Sequence, residues 1–119
     1  MKNNKIFSLY QKLQKFGAST TPYSITVNAA KTKNIRVLQP YVDEYVQLHN
    51  EIIDKHSKTL KGVKNKDAEL YKLCEKEFAE LDNMDFPEVD QMLSTIEVSA
   101  LPQDIPPNEY SLLEDIIIL

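Results

Sequence analysis

The chain has 119 residues, with 14 Lys and Arg against 18 Asp and Glu, a formal net charge of −4, and 42% hydrophobic residues. This composition excludes wholesale disorder, and the mild negative charge excludes both a basic nucleic-acid binder and the charge density of a DNA mimic. One cysteine, Cys74, excludes an internal disulfide and a four-cysteine zinc site, and a lone thiol suits a reducing compartment.

The length fits one domain, residues 1–119, whose core is thin enough that self-association adds useful buried area. Ile6, Leu9, Tyr10, Leu13 and Phe16 recur at helical spacing, and Gly17 closes this first helix, predicted over about 4–17. The stretch holds no unbroken apolar segment of signal-peptide length, so a cytoplasmic protein is expected. Thr20 or Thr21 is then expected to cap a long helix over about 22–60, with Pro22 in its first turn. The β-branched "SITV" leaves residues 23–27 open between strand and helix. Tyr41, Tyr45, Leu48 and Ile52 form one apolar stripe, and Val42, Val46 and Ile53 its neighbour. Pro40 removes a backbone donor and predicts a kink or restart at that point.

In "HSKTLKGVKNKD", Gly62 and Asn65 supply turn chemistry before a third helix over 66–82 with Leu70, Cys74, Phe78 and Leu81 inward. The short connection favours an antiparallel hairpin. One or two more helical turns are expected over 87–93. "STIEVSAL" then alternates, which predicts a strand over 94–100. A single strand is unstable, so its partner is sought in "SITV" or in the same strand of a second copy. The prolines of "LPQDIPP" extend the chain before a short helix over 107–117. The fold expected is mainly α: an antiparallel helical hairpin with a kinked long helix and a small C-terminal strand and helix.

Lys33, Asn34, Leu38 and Pro40 precede a long charged helix, and Ile96, Glu97 and Val98 precede Leu101, Pro102, Ile105, Pro106 and Pro107 and a terminal "LLEDII". In order and spacing this layout resembles a widespread group of small proteins encoded by tailed bacteriophages. The chain departs from that pattern in the extra proline of "LPQDIPPNEY" and in its apolar last four residues. The resemblance implies a viral setting and a host-cytoplasmic location. It carries no active-site residue across.

Several clusters invite a functional reading. Lys31, Lys33 and Arg36, with Tyr23 to stack on a base and Asn34 to read an edge, form either a site for a phosphate-bearing ligand or a solvated helix face. Lys55, Lys58, Lys61, Lys64 and Lys66 surround the hairpin turn, with no aromatic residue among them to favour single-stranded nucleic acid. His49 and His56 lie seven apart, about 10 Å along a helix, too far to share a metal easily. Cys74 sits on an apolar stripe as a structural thiol. With two distant glycines there is no phosphate loop, and the carboxylates nominate no catalytic pair. Ile116, Ile117, Ile118 and Leu119 cannot all point inward from one short element, so they are covered either by the same chain or, the reading preferred here, by a second copy at an oligomer interface.

The expected function is therefore non-enzymatic, without metal, cofactor, membrane or nucleic-acid partner. The first reading is a counter-defence protein whose oligomer sequesters a nucleotide-type immune signal. The alternatives are an inhibitor that binds a host defence protein through the acidic and apolar faces of the hairpin, and a virion accessory protein docked by the C-terminal aliphatics.

Overall fold

The computed structural model describes residues 1–60, 62 and 64–119. Helix α1 spans Asn3–Gly17, α2 Ile25–Ser57, α3 Lys66–Asp82, α4 Pro87–Met92 and α5 Pro107–Leu113. Single 3-10 turns follow α2 at Lys58–Leu60, precede the last loop at Val98–Ala100, and follow α5 at Glu114–Ile116. Two-residue strands, β1 at Ile96–Glu97 and β2 at Ile117–Ile118, complete a mainly helical molecule. No helix among the described residues is long and apolar enough to cross a membrane.

The radius of gyration is 18.0 Å, against about 13.5 Å for a compact chain of this length. The cause is α2, which at 33 residues is about 50 Å long and nearly spans the molecule's 57 Å. Its first half lies in a head. There Ile6, Leu9 and Leu13 of α1 pack with Leu38 of α2, Leu113 of α5 and the following Ile116. Its second half, beyond Val42, leaves the head and pairs with α3 as a two-helix arm. Among the described residues, Leu60, Cys74 and Leu81 are the buried apolar side chains outside the head cluster.

Several sequence expectations change. The long helix starts at Ile25 rather than near residue 22, and Ser24, in extended conformation, accepts from the Val27 amide at 3.4 Å. Thr21 lies ahead of the helix, and its hydroxyl donates to Glu109 at 2.8 Å. Residues 25–27 are thereby helical. Pro40 does not restart the helix, which runs through it as one element. The proline lies on the exposed side, where water can take the carbonyl bond it leaves open.

The strand expected over 94–100 shrinks to two residues. Ser94 is held instead by the Asn34 side chain, and Val98–Ala100 coil into a 3-10 turn. The partner of β1 is neither "SITV" nor a second copy but β2, in parallel register, with Ile96 opposite Ile117 and Glu97 opposite Ile118. The last helix consequently ends at Leu113, four residues early. The hairpin turn matches its chemistry. Gly62 and Asn65 take the left-handed region, at φ 81° and 57°.

Candidate interaction faces of the helical arm

The cluster around "KTKNIRVLQP" separates once folded. Asn34 is fully buried, donating to the Ser94 carbonyl at 2.8 Å and accepting from the Ser94 amide at 2.7 Å. Tyr23 packs its ring on Phe16 at 4.7 Å and donates to Glu109 at 3.1 Å. Burial, then that carboxylate, pushes its hydroxyl up to about 12. Glu109 also accepts from Ser19 and Thr21, so the buried carboxylate ties the loop before α2 to α5. Lys31 is half-buried beside Gly17, while Lys33 and Arg36 are exposed. The cations and the two base-reading groups thus belong to different environments.

The C-terminal run divides likewise. Ile116 lies in the head core, Ile117 packs against it, and Ile118 and Leu119 are exposed. Cys74 is buried, and burial raises its thiol above the usual range, as for a packing group rather than a nucleophile. His49 stacks flat on Phe78, at 4.5 Å and 9°, whereas His56 meets Glu77 at 3.1 Å. Of the basic cluster, Lys61 lies outside the described residues. Lys58, Lys64 and Lys66 are exposed, and Lys55 donates to Glu77 at 2.7 Å. Hydrogen bonds from Lys55 and His56 hold the Glu77 carboxyl below its ordinary value.

The arm brings together a larger set of groups. At its root its two helices are joined by Tyr45, which donates to Asp82 at 2.7 Å, and the arm is pinned to the head by the buried Asn3 amide, which donates to the Leu81 carbonyl at 3.1 Å. Burial pushes the Tyr45 hydroxyl up to about 12, reinforced by Asp82. Two packed helices bury one seam and leave two flanking faces without cover.

The first face holds a groove of about 490 Å³, with Leu48, Ile52, Leu81 and Met84 at its floor and Glu51, Lys55, Glu77 and Glu80 on its rim. Leu73, 44% exposed, continues this face toward the tip, four and seven residues before Glu77 and Glu80. The second face is a row of rings. Phe7 lies 5.1 Å from Tyr45, Tyr45 6.1 Å from His49, and His49 stacks on Phe78. Tyr71, 63% exposed, ends the row beside Ile53, Leu70 and Asp67. Tyr71, Glu75, Phe78 and Asp82 stand at helical spacing along α3, so the charges on that stripe are acidic.

The sequence signalled the apolar seam but not these faces. The spacing of Glu44, Leu48, Glu51, Lys55 and Lys58, alternately four and three, is the signal that marks the first. No family model matches the chain, and no curated protein or solved structure is similar to it.

Proposed function

We propose that this is a non-enzymatic binding protein that presents the aromatic face of its arm to a basic, partly apolar segment of another protein. The observation that supports it most is the half-buried ring row from Phe7 to Phe78 that ends in the exposed Tyr71, flanked by Asp67, Glu75 and Asp82. Aromatic residues are the preferred anchors of protein interfaces because they bury large rigid area at small entropy cost. Flanking carboxylates select a cationic partner and speed its approach. In the phage setting that the layout resembles, the partner is a host defence protein in the host cytoplasm, held by binding rather than modified.

Titration with synthetic amphipathic helices tests this. Peptides with Lys and Arg flanks should shift the amide signals of His49, Tyr71 and Phe78, and Tyr71→Ser should weaken binding about tenfold or more. Equal response to peptides with Glu and Asp flanks removes the reading. A second reading, nucleotide sequestration at Lys31, Lys33 and Arg36, draws support from the absence of ion pairs to these three side chains among the described residues. It predicts a rise in melting temperature with cyclic or ADP-ribose nucleotides that the Lys33→Ala, Arg36→Ala double variant abolishes.

A further inference from the structure

We propose that the other face of the arm, the groove face, is closed by a second copy of the chain lying antiparallel, tip against root. The inference is independent of what the aromatic face binds.

The charges at the two ends of this face differ in sign. On α2 and the following turn, Glu44 and Glu51 lie toward the root and Lys55 and Lys58 toward the tip. On α3, Lys66 marks the tip and Glu80 approaches the root, while Glu77 is paired with Lys55 at mid-arm at 2.7 Å and Glu69, nearer the tip, is paired with Lys72 at 3.8 Å. Lys58 stands fourteen residues from Glu44, and Lys66 fourteen from Glu80, about 21 Å along each helix. A two-fold axis crossing the arm at the level of Glu51 and Leu73 therefore sets each tip lysine opposite a root glutamate of the second copy. Parallel stacking of two such faces would instead oppose lysines to lysines and glutamates to glutamates.

The same axis brings the exposed Leu73 of each copy over the middle of the other arm, beside the groove floored by Leu48, Ile52 and Leu81. Each arm face measures about 22 by 20 Å, so the pair covers about 900 Å² in all, the size of a weak, concentration-dependent interface. Such a contact is isologous, and its polarity is what a self-complementary surface needs. The product is a four-helix assembly with the two heads at opposite ends and both aromatic faces outward.

Charge reversal provides the test, read as mass by light scattering and native mass spectrometry across the micromolar range. Wild-type protein should dimerise. The double variants Lys58→Glu with Lys66→Glu, and Glu44→Lys with Glu80→Lys, should each raise the dimer dissociation constant about tenfold or more. Mixing the two variants should restore a dimer containing one copy of each. All four positions are exposed, so unchanged circular dichroism is expected; Leu73→Ser supplies a charge-neutral variant that should also weaken the dimer. Wild-type protein that stays at monomer mass, or a dimer that both double variants and Leu73→Ser leave intact, overturns the proposal. Tyr71→Ser should leave the dimer unchanged, which separates failure here from failure of the aromatic-face reading.

Discussion

Asn34 shows how far a side chain's role depends on what lies sixty residues away. In the sequence it sits among cations and reads as a ligand contact. In the fold its amide closes two hydrogen bonds on Ser94, at 2.8 and 2.7 Å, and serves the backbone of the segment leading into β1. Removing it leaves an amide and a carbonyl without partners in a partly enclosed site, where each lost bond costs on the order of 1 kcal/mol or more. Asn34→Ala should therefore destabilise the fold by about 2 kcal/mol, whereas the neighbouring Lys33→Ala should stay within about 0.5 kcal/mol. Denaturant midpoints at unchanged slope measure both. Equal costs would return Asn34 to the surface cluster. Glu109 is the same lesson in a carboxylate. Its partners Ser19, Thr21 and Tyr23 lie some ninety residues before it, and no local pattern announces them.

At the scale of elements, legibility followed periodicity. The first helix, the third helix and the turn between the hairpin's limbs are written in spacings of three and four and in Gly62 and Asn65, so the bounds of those two helices could be read to within a residue. The C-terminal module could not. A two-residue parallel pair between Ile96–Glu97 and Ile117–Ile118 has too few alternations to declare itself, and its register is set by the head rather than by either strand. The cap at Ser24 was hidden because Thr20, Thr21 and Ser24 stand close together and each carries a hydroxyl able to cap. The arm's own fastening is electrostatic at its middle, and its pH response follows. Lys55 first, then His56, holds Glu77 below its ordinary value. A carboxyl depressed in the folded state contributes stability above the unfolded value of about 4.3, and loses it as pH falls through the depressed one. Amide exchange of residues 52–57 and 73–78 should therefore accelerate below about pH 4.3 relative to the head. Glu77→Gln should show fast exchange already at neutral pH and little further change. A head that loosens before the arm would contradict this.

The whole molecule consists of a head with a continuous core and an arm with a thin one, and this division assigns roles to the two greasy surfaces seen in the sequence. The C-terminal aliphatics belong mostly to the head. Ile116 is 2% exposed and Ile117 packs beside it, which leaves Ile118 and Leu119 outside. Ending the chain after Ile117 removes exposed side chains and one register pair of the sheet. Ending it after Asp115 also removes a fully packed isoleucine and all of β2, at a cost of about 2–5 kcal/mol for the core residue alone. That is a large part of the 5–15 kcal/mol typical of a whole domain. The shorter truncation should keep its melting temperature within a few degrees and, if the arm joins the copies, keep the dimer mass as well. The longer one should melt far lower or fail to fold. A folded, monomeric product of the shorter truncation would move the association surface from the arm back to the tail, because the arm's charges and Leu73 are untouched by that deletion.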